Sequence, residues 1–161
     1  MKKISQTEIQ NLMALHQRGL DDDLINKATS LVREYPEEII LFNLLGISFE
    51  RKGSLKNAAE AYKSALKINP NIPEMNFNLG AILFSENKVE DAIQFYEKSI
   101  QLNNRFPEAH FNLGIAFQSA GRFDDAIQCY QKAIQIQPGF FEAITNMGTI
   151  KQLQGHLDEA A

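Results

Sequence analysis

Apolar residues along the chain fall into short stripes with steps of three and four, set between polar residues. Phe42, Leu45 and Phe49 form one stripe, and Leu79 and Leu83 form another. That spacing puts each set on one face of an α-helix. A second kind of stripe follows, small at one end and aromatic in the middle: Ala92, Tyr96 and Ser99, then Ala126, Tyr130 and Ala133. Gly53, Asn87 or Gly121 separates the two kinds, and these are the residue types that enter the left-handed backbone region most cheaply and end helices. Proline then closes the second stripe, because the residue before it is pushed away from helical geometry. The pattern predicts helix pairs at roughly 38–51 and 55–68, 73–85 and 89–102, and 107–119 and 123–136, with a further first helix at 141–153.

The stripes repeat. Leu45-Gly46, Leu79-Gly80, Leu113-Gly114 and Met147-Gly148 recur every 34 residues. On the same lattice lie Gly19, Gly53, Gly121 and Gly155, with Asn87 in the missing place, then Ala58, Ala92, Ala126 and Ala160, and Tyr62, Tyr96 and Tyr130. Pro36, Pro70 and Pro138 close three units, and Asn104 stands where a fourth proline would be. A period of this length marks an array of helix–turn–helix units. The expected organisation is a degenerate N-terminal pair or cap over 1–38, repeats at 39–72, 73–106 and 107–140, and a truncated repeat at 141–161, all in one domain. Small residues such as Gly80 and Ala92 let two helix backbones approach, and the tyrosines fill the space beyond them.

The segment Pro107 to Pro138, PEAHFNLGIAFQSAGRFDDAIQCYQKAIQIQP, resembles the tetratricopeptide repeat family closely. The resemblance is strong over 39–161 and weak over 5–38, where Asn11-Leu12 replaces the Leu-Gly pair. The family's large aromatic in the first helix is displaced by one residue here, as Asn76-Phe77 and His110-Phe111. The resemblance implies an all-α, right-handed superhelical solenoid of antiparallel helix pairs. It also implies that the first helices line the concave side, where such proteins hold other polypeptides.

Composition narrows the function classes. A hydrophobic fraction of 44% suits a packed core, and a net charge of −4 lacks the basic stripe that nucleic-acid binding needs. No apolar run is long enough to cross a membrane, and MKKISQTEIQ turns polar too soon for a secretory signal. One cysteine, Cys129, cannot form an internal disulfide, which fits a reducing compartment such as the cytoplasm. His16, His110 and His156 lie in different units, with no acid or thiol at metal-ligand spacing. Every glycine except Gly139 has a place in the repeat, so no phosphate loop is expected. Asp21, Asp22 and Asp23 suit the positive end of a helix. Neither cofactor, metal nor catalysis is expected of these residues.

What helix packing leaves unexplained is a set of asparagines. Asn78, Asn112 and Asn146 each precede the Leu-Gly or Met-Gly pair, and the first full unit carries Asn43 one place earlier, with Leu44 in the register position. Asparagine is a mediocre helix-interior residue, whereas its amide offers a donor and an acceptor that can grip a peptide backbone. The resemblance puts these amides on the inner groove, as in the repeat region of O-linked N-acetylglucosamine transferases. The alternative is that they follow a common repeat consensus and face water. The candidate peptide-binding set is Asn43, Phe77, Asn78, Ala81, Phe111, Asn112, Ile115, Thr145, Asn146 and Thr149. Glu74, Glu108 and Glu142 near the helix starts disfavour a strongly acidic ligand, and Arg51 alone could serve a carboxylate clamp.

Three functions fit this reading. The first is a scaffold that binds a protein or peptide in its groove. The second, by family analogy, is the substrate-recruiting arm of a larger glycosyltransferase or sulfotransferase. The third is homo-oligomerisation through an exposed C-terminal half-repeat, whose stripe of Phe141, Ile144, Met147 and Ile150 is expected to lie uncovered.

Overall fold

A computed structural model describes the backbone of residues 3–159 and the side chains up to residue 153. Among these residues the chain is all-α, with no strands: α1 (Gln6–Gln17), α2 (Asp21–Glu34), α3 (Ile39–Arg51), α4 (Leu55–Ile68), α5 (Pro73–Ser85), α6 (Val89–Leu102), α7 (Pro107–Ser119), α8 (Phe123–Ile136) and α9 (Phe141–Glu159). The fold class is a helical-repeat solenoid, and α3 to α8 begin and end within a residue of the positions the stripes predict. The residues gather into two compact units, Met1–Met75 and Asn76–Ala161.

In the first unit, α2 packs on α3 and α3 on α4, with α1 lying against α2 and α3. Its core joins Ile4, Leu12, Leu24, Ala28, Leu31, Tyr35, Leu41, Leu44, Leu45 and Ala61. The degenerate N-terminal segment is a true helix pair. Ser5 caps α1 in a reciprocal capping box, its Oγ accepting from Glu8 N at 3.2 Å while Ser5 N donates to Glu8 Oε2 at 3.2 Å. The acidic trio opens α2, where Asp21 pairs with Arg51 at 3.3 Å and Asp22 with Lys52 at 2.5 Å.

In the second unit, α6 packs on α7, α7 on α8, and α8 on α9. Turns between the helices of a pair share one hydrogen-bond pattern. Gly121 N donates to Gln118 O at 3.1 Å and Arg122 N to Phe117 O at 2.9 Å, the double bond of a left-handed helix stop. At the equivalent place Asn87 takes φ 61°, the left-handed value that asparagine tolerates better than other side chains.

Helix pairing rests on the glycine of each Leu-Gly pair. A methyl group built on Gly114 would lie 2.5 Å from Tyr130 Cε1, and one on Gly80 would lie 2.9 Å from Tyr96 Cδ1. In the first unit Gly46 faces Tyr62 in the same way. All three tyrosine side chains are fully buried.

The last repeat departs from expectation twice. The break foreseen at Gly155 does not occur, and α9 stays helical to Glu159. Glycine inside a helix is tolerated at modest cost, so Gly155 permits a turn without requiring one. The uncovered stripe is also only half realised. Phe141 and Ile144 are exposed, at 74% and 40%, but Ile150 is fully buried and Leu153 is exposed instead.

These glycines should respond oppositely to one substitution. A methyl on Gly148 would meet nothing within 4 Å, so Gly148→Ala should stabilise by about 0.5–1 kcal/mol through helix propensity. Gly114→Ala should instead destabilise by about 1–3 kcal/mol through overpacking. Thermal melting of the two variants checks the pair, and equal shifts would show that the tyrosine contact is unimportant.

Candidate peptide-binding face

Nine of the ten candidate residues lie in the second unit, on α5, α7 and α9, and none of the nine is buried. Asn43 belongs to the first unit, half-buried on α3 beside the buried Leu44. The helix period explains the partition in the second unit. Leu79, Leu83, Leu113 and Phe117 take the core stripe, which leaves Phe77, Asn78, Ala81, Phe111, Asn112 and Ile115 half-buried beside it.

The phenylalanines are built into aromatic triplets. Phe77 lies 5.8 Å from Tyr96 and 4.8 Å from Phe106 between ring centroids. Phe111 repeats the arrangement at 5.8 Å from Tyr130 and 4.8 Å from Phe140. Tilted pairs at such distances add about 0.5–1.5 kcal/mol beyond area burial. Phe106 and Phe140 stand just before α7 and α9, outside the helix stripes, and their own 34-residue spacing is the signal the sequence carries for them.

Two of the asparagines lie beside buried tyrosines: Asn112 near the Tyr96 hydroxyl and Asn146 near that of Tyr130, where each opposes part of the rise that burial imposes on the phenol. Tyr130 also donates to Gln118 Oε1 at 2.7 Å, and Tyr62 in the first unit donates to Glu50 Oε2 at 2.5 Å. Burial pushes the Tyr96 phenol up to about 12, against the opposing pull of the Asn112 side chain, and burial raises Tyr130 as well. Both hydroxyls thus keep their protons at neutral pH.

The two threonines on α9 are exposed and turned inward on their own helix. Thr145 Oγ1 donates to Phe141 O at 2.9 Å and Thr149 Oγ1 to Thr145 O at 3.1 Å. Glu74, Glu108 and Glu142 occupy the first turns of α5, α7 and α9, and neither α5 nor α7 carries a lysine or arginine. Arg51 donates to His16 O at 3.1 Å and to Asp21, so its guanidinium is already engaged.

His110 and Cys129 are brought together around a cleft of about 250 Å³ that also meets Leu113, Phe117 and Lys132. The His110 Nε2 lies 3.1 Å from Asn104 O, and burial, the larger effect, lowers the imidazole pKa. Burial, aided by the charges of Asp125 and Glu97, pushes the Cys129 thiol up to about 12. A protonated, buried thiol is a packing group, not a nucleophile. Among the described residues no three His, Cys, Asp or Glu side chains could share a metal ion, and no helix is long and apolar enough to cross a membrane. The His156 side chain lies outside those described.

Family profiles describe the same architecture. One for the tetratricopeptide repeat matches residues 107–140, and one for the TPR repeat matches 46–85 and 80–121. The chain belongs to the tetratricopeptide repeat family. A crystal structure of MamA superposes with a TM-score of 0.86 at 25% identity, over 99% of this chain and 90% of that one. YrrB, described as a TPR protein with an unusual peptide-binding site, gives 0.83 at 17% identity, over 94% and 78%. The first TPR of Spaghetti (RPAP3), bound to the HSP90 peptide SRMEEVD, gives 0.70 at 20% identity, over 73% and 93%. No curated protein matches the chain in sequence.

The cysteine environment makes a direct prediction. With its pKa at about 12 the thiol stays protonated at pH 8, so iodoacetamide should label the native protein at least about a hundredfold more slowly than the unfolded chain. Mass spectrometry over time reads the ratio. Equal rates would mean that Cys129 is neither buried nor shifted.

Proposed function

We propose that this chain is a protein-interaction scaffold, without catalysis of its own, that holds an extended polypeptide against α5, α7 and α9 of the second unit. The observation that carries the reading is the pair of half-buried amides, Asn112 and Asn146, each set beside a buried tyrosine. An amide so placed loses little rotamer entropy on binding, which favours affinity through preorganisation. The absence of lysine and arginine from α5 and α7 suits a neutral segment and disfavours an acidic one. That separates this face from a site for a peptide such as SRMEEVD. The unusual peptide-binding site described for YrrB supports the general class of ligand. A polypeptide is favoured over nucleic acid because the net charge is −4. The single buried thiol suits a reducing, cytoplasmic setting.

Self-association is the second reading. Phe141, Ile144 and Leu153 are exposed on α9, and Gly148 alone of the four register glycines faces no tyrosine. Exposed apolar residues grouped on one helix mark a contact surface. Light scattering over a concentration range tests it, and an unchanged monomer mass at high concentration would exclude it.

The groove reading predicts what a random 12-residue peptide display selects. Enriched peptides should be neutral and tolerant in side chain. Asn112→Ala with Asn146→Ala should weaken them about tenfold or more in fluorescence anisotropy, while costing about 1 kcal/mol of stability per substitution. Unchanged affinity in the double variant would sink the reading.

A further inference from the structure

Gly46, Gly80 and Gly114 meet the rings of Tyr62, Tyr96 and Tyr130, each carried by the second helix of its pair. A methyl on Gly148 would meet nothing within 4 Å. The difference extends along the helix. On α7 the stripe of His110, Leu113, Gly114 and Phe117 is buried, and α8 lies over it. Tyr130 covers the glycine, while Asp125 and Cys129 share a cleft with His110, Leu113 and Phe117. The matching stripe of α9, 34 residues on, is Ile144, Met147, Gly148 and Lys151. Met147 is half-buried there and the other three are exposed. Beside this stripe a groove of about 520 Å³ runs between α8 and α9, lined by Gln128, Gln131, Lys132, Ile134, Gln135 and Met147.

We propose that this groove is a docking site for one helix of a partner protein, which lies on α9 as α8 lies on α7. The site is separate from the concave face proposed above. Helix-in-groove recognition is specified by anchors at helical spacing, and the covered units show what the anchors are. A ring belongs over Gly148, with a small residue four places before it so that the backbones can close, as Ala126 precedes Tyr130 and Ala92 precedes Tyr96. Lys151 stands where α7 has Phe117. With Lys132 it gives the groove two cations, and none of the described lining residues is acidic. A carboxylate on the occupant answers that charge. On α8 the same corner already holds one: Asp125 pairs with Arg122 at 2.8 Å, and the Arg122 guanidinium lies 4.2 Å from the Phe117 ring centroid. In the docked helix the acid keeps its place, five residues before the ring, and the cation comes from α9. Ile144 replaces His110, so an apolar side chain suits the place of Cys129, next to the ring. A second copy has no free helix of this kind. Its three lattice tyrosines are fully buried in their own units, and α2 carries Ala28 in the fourth place. Its exposed Phe141 opens α9, with no helical turn before it to hold the acid and the small residue.

The probe is a synthetic peptide with the α6 sequence, VEDAIQFYEKSIQL, which carries Asp91, Ala92, Phe95 and Tyr96 in that order. A lactam between positions 90 and 94 keeps it helical. Titrated with the full chain in fluorescence anisotropy it should bind saturably, and Tyr96→Ala in the peptide should weaken it about tenfold or more. No saturable binding, or binding indifferent to that change, would overturn the proposal. Gly148→Leu fills the empty place and raises helix propensity, so the protein should melt no lower than wild type while losing the peptide. Retained affinity would overturn the site. Lys151→Glu should weaken binding about two- to fivefold, and Asp91→Lys in the peptide should restore it; failure to restore would overturn the charge pairing. A benzophenone in place of the Tyr96 ring should cross-link to α9 beside Gly148. Cross-links confined to α5 or α7 would move the peptide to the concave face, which overturns this site and spares the proposed function. Without peptide, a mass that rises with concentration in wild type but not in Gly148→Leu would make a second copy the occupant and overturn the partner helix.

Discussion

Everything in this chain depends on how closely a tyrosine ring can approach a helix backbone. The ring packs where a side chain would otherwise begin, so the register residue has to be glycine. That contact fixes the separation of the two helices in a pair and fills the space that an alanine or leucine pair would leave. Leu45, Leu79 and Leu113, each beside its glycine, complete the core from the next position. Because the three central repeats make the same contact, each contributes its own pairing and needs only its neighbours to bury the rest.

The same tyrosine has a second end. Its ring belongs to the core and its hydroxyl reaches the level of the half-buried amides. A phenol at that depth must find partners, because an unpaired buried hydroxyl is costly. Gln118 and Glu50 answer that need, and Asn112 and Asn146 lie beside the Tyr96 and Tyr130 hydroxyls. The polar face is consequently held by the core and not merely displayed on top of it. Phe77 and Phe111 reinforce this, since each touches the tyrosine of its own unit and the phenylalanine that opens the next.

Much of this was legible in the sequence, and the reason is the lattice. Leu-Gly, Ala, Tyr and Pro each recur because backbone approach, packing and helix stops admit few residue types, so the helices could be placed almost to the residue. The asparagines were legible as a pattern but not as a cause. Asn112 and Tyr96 sit on different helices at different register positions, and their proximity follows from the angle of helix packing, which no spacing encodes. Their constant offset, repeated by Asn146 and Tyr130, was present in the sequence but carried no meaning without that angle. The course of α9 was misread for a related reason. Gly155 permits a turn without requiring one, because glycine inside a helix is tolerated at modest cost.

The place twelve residues before each tyrosine is occupied by Glu50, Phe84 and Gln118 in turn. The tyrosines, glycines and alanines around it do not change. Variation is therefore confined to a side chain that touches the hydroxyl from the outside and contributes nothing to the spacing of the helices. A lineage that duplicates and diverges such units can exchange charge, ring or amide there without altering the tyrosine–glycine contact. It can retune what each unit recognises while the array continues to fold, so the evolution of binding is uncoupled from the evolution of stability.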